Sequence, residues 1–240
     1  MYTKDAIYYD LLNQSLQSGD VEFIQEQIPE RCRNICELAC GTGRIISQLR
    51  APGRKLSGVD ISEDMLRIAK NRYSDITWLK YDMRELPVID TFDFVFCGYN
   101  AIQHLLNEED IILFFQSAKR NMAPDGLLLI DLFNPDMKYL FPEGNRRALA
   151  AFEYEAGQTI TVEESSIYDI NTEINSIAYD YYCNGSFLFR EDYQMKQYNP
   201  DVMRRLIRES GFMVSNCYGD YEGHEFTPES QKQIYILTID

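Results

Sequence analysis

From Asn34 onward, short apolar runs alternate with amphipathic stretches, and this alternation restricts the fold more than any other feature of the chain. Residues between the runs carry apolar side chains at helical spacing, which predicts helices at 43–49, 62–72 and 108–122. The apolar runs predict five strands, at 34–38, 55–60, 76–80, 92–98 and 126–133. A repeated strand-helix-strand order is typical of an α/β fold with a parallel sheet.

The segments on either side extend this core. Residues 2–28 predict one or two helices that precede the sheet, and residues 200–210 predict a later helix. Strands near 212–218 and 232–239 would then form an antiparallel pair at the sheet edge. We expect residues 1–134 and 199–240 to form the core.

Between the two parts of the core, the pattern changes to period two. Residues 150–197 are rich in Tyr, Ile and Thr at alternate positions, which predicts antiparallel strands. The pair Asn184-Gly185 is a strong hairpin-turn signal, and Asn171-Thr172 is a weaker one. We therefore expect residues 135–198 to form an inserted β-hairpin lid subdomain.

Charge and composition restrict the classes of partner. The chain has 23 Lys and Arg against 38 Asp and Glu, and the resulting net charge of −15 opposes binding along a phosphate backbone. We expect neither nucleic acid nor membrane as a partner, since the longest apolar stretch, 126–133, is far shorter than the ~20 residues of a membrane helix. The N-terminal residues lack the apolar core of a signal peptide, which predicts a cytoplasmic location.

A glycine-rich segment follows the first predicted strand. Residues 37–43 read E-L-A-C-G-T-G, and a glycine turn between a strand and a helix exposes backbone N–H groups to a ligand. Asp60 ends the next strand, 17 residues after Gly43, where its carboxylate could accept both hydroxyls of a ribose. The dinucleotide fingerprint would require glycine at Ile46, so NAD fits poorly. The segment predicts a nucleoside-type cofactor.

With these residues the chain resembles the class I S-adenosylmethionine (SAM)-dependent methyltransferases, whose first motif commonly reads E/D-x-x-x-G-x-G. The resemblance implies an α/β, Rossmann-like seven-stranded sheet with an antiparallel β insertion between strands 5 and 6, SAM as cofactor and S-adenosylhomocysteine (SAH) as product. Glu37 would orient the methionine end, Asp60 would hold the ribose, and Asp82 and Met83 would recognise the adenine. Ala39 departs from the glycine that many members have. The residues implied at the cofactor are Tyr9, Glu37, Ala39, Gly41, Gly43, Asp60, Ile61, Met65, Asp82, Met83 and Cys97.

Other segments narrow the resemblance. A-x-Y-Y-D-x-L near Tyr9, N-A-I-Q-H-L from Asn100, D-L-F-N-P from Asp131 and Y-G-D-Y-E-G-H-E-F-T-P-E-S from Tyr218 are similar to small-molecule methyltransferases with a β-hairpin insertion. That group is similar in architecture to the N-methyltransferases of amino sugars and glycine-type amines, which implies a small-molecule acceptor and favours an amine. Methylation of oxygen, sulfur or a carboxyl group, and a SAM-binding module without turnover, are the alternatives.

Polar residues near the carboxyl edge of the sheet are candidates for the reaction. His104 could act as a base or could cap a helix, and Tyr99 could stabilise a developing cation. Asp131 lies in an apolar strand and requires a partner, because an unpaired buried charge is costly. We expect His104 and Tyr99 to be catalytic. The residues expected at the acceptor are Asn100, Gln103, Asp131, Asn134, Arg190 and Tyr198.

The tyrosine-rich insertion and the cysteines allow further expectations. The insertion could exclude water from the cofactor and contact an amine, or it could simply pack across its strands or form a homodimer face. Arg190 would be an anchor for an acidic acceptor. Cys32, Cys36 and Cys40 are spaced C-x3-C-x3-C across a loop, a strand and a turn, so we expect reduced thiols and no metal.

Overall fold

The computed structural model describes residues 6–16, 19–136, 140 and 146–240, which form two β-sheets and five α-helices among the described residues. The helices are α1 (Tyr9–Leu16), α2 (Asp20–Gln27), α3 (Glu63–Arg72), α4 (Glu108–Arg120) and α5 (Pro200–Glu209). The strands are β1 (Asn34–Leu38), β2 (Lys55–Asp60), β3 (Thr77–Lys80), β4 (Phe92–Cys97), β5 (Met122–Phe133), β6 (Arg147–Glu155), β7 (Gln158–Asp169), β8 (Ile174–Cys183), β9 (Ser186–Lys196), β10 (Phe212–Tyr218) and β11 (Lys232–Ile239).

Seven strands form the main sheet, in the order β10-β11-β5-β4-β1-β2-β3. The pairs β1/β2, β1/β4, β2/β3 and β4/β5 are parallel, whereas β11 runs antiparallel to both β5 and β10. The strand order reverses between β1 and β4, and open α/β sheets bind ligands beyond the carboxyl ends of the strands at such a point. Since β11 is antiparallel, its first residue, Lys232, lies at this same edge, opposite Phe133 of β5.

Apolar side chains bury both faces of the main sheet. Val95 of β4 packs with Phe114 of α4 and Leu206 of α5, whereas Phe94 packs with Ile24 of α2 on the other face. Alternate residues of one strand therefore serve two core layers, as expected for strands buried on both sides. Polar caps fix where the helices begin: Ser62 accepts from Met65, Asn107 from Asp110, and Asn199 from Asp201.

The insertion forms a second, antiparallel sheet in the order β6-β7-β8-β9. Asn184 and Gly185 both have positive φ, 48° and 80°, as a type I′ hairpin turn requires. A small apolar cluster of Leu12 from α1 with Ile160, Val162 and Tyr181 joins the insertion to the N-terminal helix. Because Leu12 belongs to α1, this helix packs against the insertion as well as preceding the core.

The predicted seven-stranded α/β sheet and the antiparallel insertion after β5 are confirmed. The helix predicted at 43–49 is wrong, because the chain forms only a 3-10 turn over Ile46–Gln48. The N–H groups of Gln48 and Leu49 donate to the carbonyls three residues back, at 2.9 and 3.1 Å, which is the 3-10 pattern and not that of an α-helix. Positions 137–139 and 141–145 of the expected lid lie outside the described residues. None of the described helices has the length and apolarity needed to cross a membrane.

Candidate active site

The turn after β1 brings backbone and carboxylate groups to one end of a cavity. Glu37 is 3% exposed, its Oε2 accepts from the Ile46 N–H at 3.1 Å, and burial raises its pKa well above the ordinary value. Ala39 and Gly41 have φ of 58° and 54°. Gly41 leaves room for a ligand, since a Cβ there would approach only the Tyr9 ring, at 3.9 Å. Together these residues line a cradle that a nucleoside-type ligand can enter.

Asp60, at the end of β2, closes this cradle from the side. Its Oδ2 accepts from the Gly41 N–H at 2.7 Å and its Oδ1 from the Ser62 N–H at 2.8 Å. Burial raises its pKa, and the backbone N–H groups of Ser62, Gly41 and Ile61 oppose that rise. A carboxylate has about four acceptor sites, so Asp60 can still accept from a hydroxyl group of a ligand.

Beyond Asp60, a second acid and two methionines line the cavity. Asp82 is held by the Arg84 guanidinium through bonds of 2.6–3.1 Å, which lower the pKa of Asp82. Arg84 also bonds Asp110 at 2.9 Å. Met65 and Met83 line the same region and provide apolar surface for a flat ring.

Helix α1 covers the glycine turn. The Thr42 hydroxyl donates to Asp10 Oδ1 at 2.6 Å, and Asp10 also pairs with Arg72. The Tyr9 ring lies beside Gly41 and in the cavity wall. The cradle is thus bounded by α1 on one side and by the sheet edge on the other.

The cavity has a volume of about 1220 Å³ and lies between the carboxyl edge of the sheet, α1 and the insertion. Pockets for one small molecule measure roughly 300–1,000 Å³, so this volume suits a nucleoside-type cofactor together with a small second ligand. Its walls are lined by residues of the cradle, by the segment after β4, by the loop before β11 and by the inner face of the insertion.

The segment after β4 carries backbone strain. Tyr99 and Asn100 have φ of 56° and 62°, and this left-handed region is unfavourable for tyrosine. The Arg44 guanidinium lies 4.9 Å from the centroid of the Tyr99 ring and pairs with buried Asp20 at 2.5 Å. Burial raises the pKa of Tyr99 to about 12, so its phenol stays protonated at neutral pH. The surrounding contacts must hold this backbone conformation, and both side chains line the cavity.

His104 ends the 3-10 turn Ala101–His104 and lines the cavity. Its Nδ1 lies 3.1 Å from the Gln194 carbonyl oxygen, which can only accept, so Nδ1 carries the hydrogen. The lone pair of the neutral ring is therefore on Nε2. Burial lowers the pKa of His104 below its ordinary 6.5, and the Gln194 carbonyl opposes this. His104 is thus a neutral base at pH 7.

The inner face of the insertion forms the cavity roof. Arg147 pairs with Glu164 across β6 and β7 at 2.8 Å, and Glu164 is only 4% exposed. The rings of Tyr179 and Tyr193 meet edge to face, with centroids 4.9 Å apart, and Tyr193 also contacts His104. The roof therefore offers aromatic surface beside the candidate base.

Sequence reasoning missed Tyr221 and Lys232, which line the cavity from the C-terminal part of the chain. The Tyr221 hydroxyl donates to Asp131, whose other oxygen accepts from the Asn100 N–H at 2.6 Å. Lys232 Nζ donates to Asn100 Oδ1 at 2.8 Å and lies 3.9 Å from Asp131. Asp131 does have partners, as expected, but it lies behind the cavity wall and not in it. The predicted antiparallel β11 was the signal that could have located Lys232.

Twelve other predicted residues line the cavity: Tyr9, Glu37, Ala39, Gly41, Asp60, Ile61, Met65, Asp82, Met83, Tyr99, Asn100 and Asn134, together with His104. Two residues predicted at the cofactor do not line it. Gly43 packs against Trp78, where a Cβ would lie 2.3 Å from the ring, so its glycine serves packing. Cys97 is fully buried in the core layer of α4.

Three residues predicted at the acceptor are also placed elsewhere. Gln103 is fully buried and joins two strands, because it donates to the Lys196 carbonyl and accepts from the Phe133 N–H, both at 3.0 Å. The buried Tyr198 donates to the Leu105 carbonyl at 2.6 Å. Arg190 lies on the opposite face of β9 from Tyr193 and pairs with Asp180 at 2.7 Å.

Comparison with known proteins agrees with this geometry. Residues 35–126 match the family model of a methyltransferase domain. The putative methyltransferase YqeM of Bacillus subtilis (strain 168) is 27% identical over 241 residues, which cover 96% of this chain and 93% of that protein. A dTDP-3-amino-3,6-dideoxy-alpha-D-glucopyranose N,N-dimethyltransferase of Streptomyces fradiae is 26% identical over 167 residues, 67% of this chain and 63% of that protein. The solved structure of SAM-bound CalS10, an amino pentose methyltransferase from Micromonospora echinaspora, has a TM-score of 0.78 at 16% identity and covers 100% of this chain and 98% of its own.

Proposed function

We propose that this chain, which is a class I S-adenosylmethionine-dependent methyltransferase, methylates the nitrogen of a small-molecule amine. The observation that carries the proposal is the pair of tyrosine rings, Tyr179 and Tyr193, that lines the cavity beside His104, because aromatic faces stabilise the positive charge that develops on a methylated nitrogen. His104, whose Nδ1 bonds the Gln194 carbonyl, is the base beside them. The similarity to an amino-sugar N,N-dimethyltransferase supports nitrogen as the methylated atom.

SAM is the cofactor, and the cradle fits it. The fit rests on the space above Gly41 and on the acceptor capacity that Asp60 keeps beside its bonds to the backbone. We infer that Asp60 holds the ribose hydroxyls, that Glu37 fixes the loop around the methionine end, and that Met65 flanks the adenine. Ile61, Asp82 and Met83 would complete the adenine site.

When bound, SAM supplies an electrophilic methyl group on a sulfonium, which an amine lone pair attacks as the carbon–sulfur bond breaks. The chain must present that amine unprotonated and in line, and positioning of this kind supplies much of the rate of such a reaction. His104 takes the proton that the nitrogen loses. The rings of Tyr179 and Tyr193 stabilise the positive charge that develops on the nitrogen. The Tyr99 ring already has the Arg44 guanidinium 4.9 Å from its centroid.

Methylation of a hydroxyl group is the second candidate function, and the same histidine favours it. A hydroxyl is protonated at pH 7, so its methylation depends on a base more strongly than that of an amine does. His104, with its lowered pKa, would meet that need. The dependence of the rate on His104 therefore separates the two candidates.

The test is methyl transfer from isotope-labelled SAM to a panel of amines, alcohols, thiols and carboxylic acids, with products identified by mass spectrometry. We expect labelled N-methyl products, which Asp60→Ala abolishes and Asp75→Ala, a change of an exposed acid, leaves intact. Transfer to alcohols, thiols or carboxylic acids without transfer to any amine would refute N-methylation.

His104→Gln distinguishes the two candidates further. For an amine, we expect a loss of roughly tenfold to hundredfold that rising pH partly restores, because solvent then removes the amine proton. For an alcohol, the loss would persist across the accessible pH range, since no alcohol ionises there.

A further inference from the structure

A buried ammonium group lies in the cavity wall where β4, β5 and β11 meet. The Lys232 side chain is 13% exposed, and its Nζ lies 4.8 Å and 4.7 Å from the ring centroids of Phe133 and Tyr221. Nζ donates to Asn100 Oδ1 at 2.8 Å. An ammonium has three donors, and the bond to Asn100 is the one that Lys232 Nζ makes among the described residues.

Asp131 does not fully compensate this charge. Its nearest oxygen is 3.9 Å from Nζ, and the same carboxylate accepts from the Asn100 N–H and the Tyr221 hydroxyl. Burial lowers the pKa of Lys232 even though Asp131 acts in the opposite direction. A further anion at this wall would therefore stabilise the ammonium.

Lys232 also fixes which end of the Asn100 amide faces the cavity. Nζ can only donate, so the amide atom 2.8 Å from it is the oxygen, and Nδ2 points away. Nδ2 has no partner among the described residues, and Asn100 lines the cavity. Asn100 therefore presents the N–H groups of its amide to a bound acceptor. Its amide oxygen, which could have accepted from a cationic group, is taken by Lys232.

We propose that the acceptor amine carries a carboxylate and that Lys232 Nζ and Asn100 Nδ2 donate to it. The inference rests on the proposed N-methylation and specifies its substrate class as amino carboxylates. A carboxylate has enough lone pairs to accept from both residues. Its negative charge also compensates the positive charge of the Lys232 ammonium. A phosphate would bring a second negative charge. The single ammonium of Lys232, which already lies 3.9 Å from Asp131, does not balance that charge.

The first experiment compares matched acceptors. Amino acids, their primary amides and phosphorylated amines are titrated calorimetrically into the SAH complex and assayed for methyl transfer. We expect at least one amino acid to bind about tenfold to hundredfold more tightly than its amide, as a charge-assisted hydrogen bond of this kind would give. The inference is overturned if no amino acid exceeds its amide, or if the phosphorylated amines bind best.

Two variants locate the effect. Lys232→Met removes the ammonium, with Lys70→Met, an exposed lysine of α3, as the matched control. Asn100→Asp keeps an oxygen for Lys232 and tolerates the φ of 62°, but replaces the donor with a second oxygen. Both cavity variants should lose the preference for amino acids over amides and keep their affinity for SAH, and the control should keep both.

The outcomes separate this inference from the proposed function. Loss of SAH affinity in both cavity variants would mean that the wall binds the cofactor's own carboxylate, and would overturn the inference. Methylation of amines regardless of a carboxylate would refute the inference alone. Tight binding of amino acids without transfer to nitrogen would refute the proposed function alone. If Lys232→Met does not fold, Asn100→Asp decides the result.

Discussion

Replacing Asp131 by Asn tests the buried hydrogen-bond network behind the cavity wall where β4, β5 and β11 meet. The substitution keeps the shape of the side chain and removes its charge. Asp131 is fully buried, accepts from the Asn100 N–H and the Tyr221 hydroxyl, and has a carboxylate oxygen 3.9 Å from Lys232 Nζ. Loss of one partner from a buried charged pair typically costs about 3–5 kcal/mol, because the other charge stays buried. In a chain of this length each kcal/mol lowers Tm by about 2–4 °C, which gives a decrease of roughly 6–20 °C.

The assay is thermal and urea unfolding of matched variants. Asp75→Asn is the control, because Asp75 also pairs with an arginine, through two bonds of 2.7 and 2.8 Å, but is exposed. An exposed pair contributes about 0–1 kcal/mol, so the control should unfold near the wild-type temperature. Adding Lys232→Met to Asp131→Asn should recover part of the loss, since the unpaired ammonium is then gone.

Equal decreases in the free energy of unfolding for Asp131→Asn and Asp75→Asn would refute this reasoning. A double variant that is less stable than the sum of its single changes would refute it too, because Lys232 would then contribute stability without Asp131.

Three further changes test other parts of the structure. Ala39→Gly should raise the free energy of unfolding by roughly 1 kcal/mol, measured in urea, because Ala39 has φ of 58°; a loss of stability would contradict this. Asn175 is 1% exposed and neither end of its amide has a described partner, so Asn175→Leu should stabilise the protein by about 1–3 kcal/mol, and destabilisation would show an unseen partner. The pKa of His104 is lowered in the folded protein, so the unfolded chain binds more protons as the pH falls below 6.5. The free energy of unfolding, relative to that of His104→Gln, should therefore be highest above pH 6.5 and decrease as the pH is lowered. The same relative free energy at pH 7 and pH 5 would refute the pKa shift.

The core of the fold could be predicted because its signals are local. The strands at 34–38 and 55–60 have the predicted bounds, since each is a short apolar run that ends in a turn. The hairpin at Asn184-Gly185 follows from two residues that tolerate positive φ. The helix predicted at 43–49 is wrong, because apolar spacing over so few residues does not distinguish a short 3-10 turn from a regular helix.

The cradle could also be predicted from local sequence signals, but the cavity wall formed by the segment after β4 and by the insertion could not. Adjacent residues on a tight turn or a strand face different directions, so Ala101 and His104 line the cavity whereas Gln103 between them is buried. Arg190 and Tyr193 separate in the same way on β9. Period and spacing identify the element, whereas the face that meets the ligand depends on how the insertion packs.

Helix α1 connects the two halves of the cavity through residues within one helical turn. Asp10 accepts from Thr42 of the glycine turn, whereas Leu12 packs with Ile160 and Val162 of the insertion. The cofactor cradle and the acceptor roof therefore cannot separate unless α1 loses one of these contacts. The residues that precede the sheet are therefore the ones that join the glycine turn to a sheet inserted more than a hundred positions later in the chain.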